Sequence, residues 1–88
     1  MNREKLLKNM IDQVKEAQLK LGYAKETVRL YYPVDSLNTI LGSYAKDDQE
    51  MLTLLRKAFE EKSSLGELHF HSHGGRVEIS IPPEGSQW

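Results

Sequence analysis

Along the chain, Leu7, Met10, Ile11, Val14, Gln18 and Leu21 recur at three- and four-residue spacing, with Lys8, Asp12, Lys15 and Glu16 between them. One face of a helix has that period, so an amphipathic helix is predicted over about residues 3–21. Gly22 is placed to end it in a left-handed turn, and Leu19 falls outside the apolar stripe. In "TVRLYYP" the pattern switches to period two: Val28, Leu30 and Tyr32 alternate with Arg29 and Tyr31. β-branched and aromatic residues dominate there, which predicts a short strand stopped by Pro33.

"PVDSLNTILG" predicts a short helix capped by Asp35 or Ser36, with Leu37, Ile40 and Leu41 facing inward and Gly42 closing it. After the connection "SYAKD", a third helix is expected over about 47–62, with Leu52, Leu55 and Phe59 as its buried stripe. Asp47 followed by Glu50 fits a capping arrangement, and Asp48 is an equal candidate for the cap. "SSLG" reads as a loop.

The segment "HFHSHGGRVEIS" has the sharpest pattern. With Gly74-Gly75 as a two-residue turn, Phe70 faces Ile79, Leu68 faces Ile81 and Ser72 faces Val77. The other face then pairs His73 with Arg76, His71 with Glu78, and His69 with Ser80. A slip of one residue would move Val77 and Ile79 to the polar side, so hydrophobicity fixes the register. "IPPEG" ends the strand.

The predicted order is therefore helix, strand, helix, helix, strand, strand: a small α+β domain with an antiparallel sheet. Eighty-eight residues allow one core. The absence of cysteine excludes a disulfide scaffold, a thiolate metal site and a cysteine nucleophile. No apolar run approaches the roughly 20 residues of a membrane span, and "MNREKLLKNMIDQ" lacks the continuous apolar segment of a signal peptide. A cytoplasmic protein without membrane contact is expected. A net charge of −1 provides no overall field for nucleic acid, so a DNA-binding surface would need a local basic patch.

The element order resembles the winged-helix variant of the helix-turn-helix, with helices two and three as the paired helices and "SHGGR" as the wing tip. "RLYYPVDSLNTILG" and "RVEISIPPEG" also resemble segments of a small family of unknown function from gut Firmicutes. That family has no assigned activity or binding residues to carry over. Its members are longer than this chain, so the resemblance implies that residues 1–88 are the N-terminal part of a longer protein, whose remainder could hold a site or act as a docking partner.

Four kinds of chemistry are open to such a domain. His69 and His71 on one strand face, with Glu78 opposite His71, have the residue types of a two-histidine, one-carboxylate metal site. The plainer reading is a solvated strand face, on which imidazoles gaining charge in mild acid would make the wing more basic. Should the third helix read DNA, its exposed Gln49, Thr53, Arg56 and Lys57, with Lys46 before it and Arg76 at the wing, would make the contacts. Against that, Asp47, Asp48 and Glu50 occupy the helix start that would enter the groove. A protein-docking surface would instead use Leu19, Tyr23, Tyr31, Tyr44 and Trp88, because tyrosine and tryptophan are enriched at interfaces; Leu19 beside the helix-one stripe suits a homodimer. No phosphate-binding loop, nucleophile–base pair or buried carboxylate pair is present in the sequence, so enzyme activity, a cofactor and a small-molecule substrate are not expected. A protein-interaction or regulatory module is the leading expectation, with a DNA-binding regulator as the alternative.

Overall fold

The computed structural model describes residues 2–21, 27–60 and 65–83. Its elements are α1 (Arg3–Leu21), β1 (Val28–Pro33), α2 (Val34–Leu41), α3 (Asp48–Ala58), β2 (His69–Ser72) and β3 (Arg76–Ile81). This is the α+β order expected from periodicity. The strands form one antiparallel sheet in the order β1-β3-β2.

The helices cover one sheet face. Leu6, Met10 and Val14 of α1, Leu37 and Leu41 of α2, and Met51, Leu52 and Leu55 of α3 are buried against Phe70, Val77, Ile79 and Ile81. Leu6 and Met51 escape the predicted stripes, yet both are fully buried. Each adjoins a predicted stripe residue in sequence, so the buried arc is wider than a single row of knobs. Ile11 and Ile40 are only partly buried. Leu65, in the segment read as a loop, is also buried in the core.

The hairpin has the predicted register: His69 opposite Ser80, Phe70 opposite Ile79, His71 opposite Glu78, Ser72 opposite Val77. His73 and Arg76 exchange both backbone N–H···O bonds, at 2.8 and 3.3 Å. Gly74 and Gly75 between them have φ of 58° and 82°. A two-residue turn with both φ positive matches the twist of the strands, and glycine adopts it without steric penalty.

Two predicted boundaries need correction. Pro33 does not merely follow β1 but is its last residue, opposite Arg76, and it also caps α2 with extended backbone and no side-chain hydrogen bond. Neither Asp35 nor Ser36 is the cap; Asp35 sits in the first turn. Proline is tolerated because β1 is an edge strand and the position that would need an N–H faces away from β3. Helix α3 is shorter than expected, ending at Ala58 with Phe59 as its C-cap. Its start is as predicted: the Asp47 carboxylate accepts from the Glu50 N–H at 2.8 Å, so Asp47 and not Asp48 is the cap. Gly42 closes α2 in the left-handed region, φ 69°. Asn2, not foreseen, caps α1 by accepting from the Lys5 N–H at 3.1 Å. The expected stop at Gly22 lies outside the described residues.

Candidate functional surfaces

Alternation on the three strands leaves a second, outward sheet face. Reading across β1-β3-β2, its rows are Arg29, Ser80, His69; Tyr31, Glu78, His71; and Pro33, Arg76, His73. Glu78 is at the centre with its side chain 18% exposed. Its carboxylate accepts from the Tyr31 hydroxyl at 3.0 Å and lies 3.5 Å from Arg29 Nε. The Tyr31 phenol is held above its ordinary pKa first by that hydrogen bond, then by desolvation and the Glu78 charge, while Arg29 opposes the shift. The Tyr31 ring also meets the His73 imidazole, with centroids 5.3 Å apart. Glu78 of β3 is thus a negative centre linked to Tyr31 and Arg29 of β1 and partly neutralised by Arg29.

His69, His71 and His73 are exposed on this face, as expected. Among the described residues, however, no group of three or more His, Asp or Glu side chains is placed to hold a metal ion. The set His69, His71 and Glu78 is not assembled: Glu78 turns toward Tyr31 and Arg29 on the opposite strand.

The residues expected to read DNA divide into two groups. Arg56 Nη2 donates to the Phe70 carbonyl at 3.1 Å, and Gln49 Nε2 reaches Ser72 Oγ at 3.4 Å. These two residues tie α3 along the outer edge of β2. Thr53 lies between them on the same helical face, with its hydroxyl on the Gln49 carbonyl at 3.2 Å. Lys46, Lys57 and Arg76 are exposed. The Gln49–Ser72 contact puts the start of α3 at the hairpin-turn end of the molecule, so Asp47, Asp48 and Glu50 share that end with Arg76.

Among the residues expected to dock protein, Leu19 is 88% exposed, Tyr44 92% and Tyr31 48%. Tyr23 and Trp88 lie outside the described residues. Tyr44 borders a shallow depression, lined also by Asp35, Asn38, Thr39, Gly42 and Ser43. There Asn38 is fully engaged: Nδ2 donates to the Ala45 carbonyl at 2.9 Å, while Oδ1 accepts from Ser43 Oγ and the Ala45 N–H. Its amide buckles the chain after α2 and is not free for a ligand. Another depression lies between α1 and β1, lined by Gln13, Glu16, Ala17, Lys20 and Leu30.

Arg29 is a surface residue of consequence that the sequence pattern does not single out. Alternation places it outward, but its pairing with Glu78 depends on β1 lying beside β3, a contact between distant segments.

Three layers of observation, namely an α+β element order, one antiparallel sheet and a helix-covered inner face, define a small mixed domain. The chain matches, over residues 3–88, the family described as "Domain of unknown function, E. rectale Gene description (DUF3877)", and it belongs to that family. No curated protein and no solved structure matches it.

Proposed function

We propose that this is a non-enzymatic, winged-helix-like module that binds protein, and that it works in the cytoplasm. The winged-helix likeness is supported by the element order and by the β1-β3-β2 strand order, with the hairpin turn as the wing. The connection between α2 and α3 covers residues 42–47, longer than the three- or four-residue turn of a DNA-reading helix-turn-helix. A cytoplasmic setting accords with a cysteine-free sequence and with the finding that no described helix is long and apolar enough to cross a membrane.

The observation that carries the docking reading is the use already made of Arg56 and Gln49. Both hold α3 against β2, so a DNA duplex would have to displace them from the protein's own backbone and side chains. Acidic side chains at the start of α3 would also face phosphates, where close like charges are costly. The large exposed side chains, Leu19, Tyr31 and Tyr44, lie elsewhere and suit an interface.

The test is an ¹⁵N spectrum of the domain titrated with a mixed-sequence DNA duplex, first at low and then at moderate salt. The expected result is no saturable shift at Lys46, Gln49, Thr53, Arg56, Lys57 or Arg76. Shifts at those residues that weaken steeply with salt would mark a phosphate-contacting surface and overturn the reading in favour of DNA. In parallel, a displayed library of extended peptides is expected to yield binders that shift Arg29 to Tyr31.

A further inference from the structure

We infer that β1 is a self-pairing edge, through which two copies of this chain join their sheets antiparallel with Leu30 on the two-fold axis. The inference deepens the protein-docking reading above and rests on it.

Backbone geometry comes first. His73 and Arg76 exchange both of their hydrogen bonds. In an antiparallel ladder such pairs alternate with pairs that exchange none. Counting along the observed register, Arg76, Glu78 and Ser80 therefore bond to β2, and Val77, Ile79 and Ile81 bond to β1. Val28, Leu30 and Tyr32 then point their backbone groups at β3, while Arg29 and Tyr31 point theirs away from the sheet. Among the described residues nothing hydrogen-bonds those outward N–H and C=O groups.

The two edges of the sheet are treated differently. On β2 the outward carbonyl of Phe70 is taken by Arg56, and α3 runs beside the strand. β1 has no such cover from a described element, and an open edge is a template for another strand. The depression lined by Gln13, Ala17 and Leu30 continues this edge on the inner side.

The register follows from the side chains. Bringing two β1 strands together about Leu30 places Arg29 opposite the partner's Tyr31, and Tyr31 opposite the partner's Arg29. Both are hydrogen-bonded pairs, so all four outward groups of each strand's Arg29 and Tyr31 are satisfied. On the outer face each Arg29 guanidinium then lies beside a tyrosine ring already hydrogen-bonded to Glu78, which sets positive charge against a negative, aromatic unit. On the inner face, half-buried Leu30 meets its own copy at the close spacing of a non-bonded pair. Shifting the axis to Arg29 would oppose two guanidinium groups. Shifting it to Tyr31 would set Arg29 against Pro33, which has no N–H to give. The arrangement about Leu30 is self-complementary, as a two-fold interface must be.

The experiment is sedimentation of the full chain from micromolar to millimolar concentration. Weight-average mass is expected to rise from the 10.1 kDa of one chain toward twice that value. Arg29→Pro deletes an outward N–H without touching the β1–β3 ladder, and is expected to hold the chain monomeric. Arg29→Glu keeps the N–H but sets a carboxylate against the partner's Tyr31 and Glu78, and is expected to weaken association at least tenfold; it stands in should the proline variant not fold. Arg29→Lys, with charge and N–H intact, is expected to associate within a few-fold of the parent. A parent chain that stays monomeric throughout, or an Arg29→Glu chain that associates as the parent does, overturns the inference. If the monomeric chain still captures displayed extended peptides at Arg29 to Tyr31, self-pairing fails but the docking reading stands. If it captures none, both fail.

Discussion

Tyr32 is the polar residue on which α1 and the sheet depend together. Its hydroxyl donates to Asn9 Oδ1 and accepts from Gln13 Nε2, both at 2.7 Å, and Gln13 also donates to Asn9 at 2.7 Å. The residue is buried, so a phenolate there would lose water, and that desolvation pushes its pKa well above the ordinary 10.0; the Gln13 hydrogen bond opposes the shift only in part. The sign of the linkage follows. A raised folded-state pKa means the native state holds the proton more tightly than the unfolded chain. The stabilisation is therefore fully present below pH 10 and is lost as pH climbs from there toward the folded-state value. Thermal melts at pH 8 and pH 11 are expected to show a fall in Tm for the parent and a distinctly smaller fall for Tyr32→Phe. At pH 8 the same substitution should cost about 1 kcal/mol for the lost hydrogen bonds. An equal fall with pH in both proteins would show that other groups govern alkaline unfolding.

At the scale of elements, the hairpin is where local chemistry decides most. Gly74 and Gly75 both lie at positive φ, and a Cβ at either would meet open space, so backbone conformation alone favours glycine. Gly75→Ala is expected to cost roughly 1–2 kcal/mol by chemical denaturation, the penalty of a side chain in the left-handed region. No loss would mean that the turn can adopt another shape at little cost. This element was readable because its instructions are local: alternation on both sides of two glycines sets the pairing before any distant contact forms. α3 was readable at its start for the same reason, since Asp47 and Glu50 are three residues apart. Pro33 misled because its role depends on β1 being an edge, and only the assembled sheet shows that. Leu6 was missed because the stripe through Leu7 and Met10 already satisfied helical spacing. The candidate surfaces were less legible still. Periodicity puts Gln49 and Arg56 on the outer side of α3, and they do lie there, but β2 runs beside them and engages them both. Likewise His69 and His71 face outward as alternation requires, yet Glu78 is drawn toward Tyr31 and Arg29 by a strand 47 residues from it in sequence.

The molecule as a whole is asymmetric in how its sheet is finished. The inner face is buried under three helices, and among the described residues no buried side-chain nitrogen or oxygen lacks a partner. One edge is closed by α3 and Arg56, the other is left open at Arg29 and Tyr31 by the described residues, and the outer face carries a linked aromatic and charged cluster. Edge closure by a helix is how such proteins avoid unwanted strand pairing, so an edge left open on one side only is the feature on which the proposed docking role rests. Amide hydrogen exchange along β1, measured residue by residue over a dilution series, tests that account most directly. The expected pattern alternates: Leu30 and Tyr32 amides are protected at every concentration, whereas Arg29 and Tyr31 exchange freely in dilute solution and become protected as the chain is concentrated. Protection of Arg29 and Tyr31 that does not change with concentration, or free exchange at Leu30 and Tyr32, would contradict it.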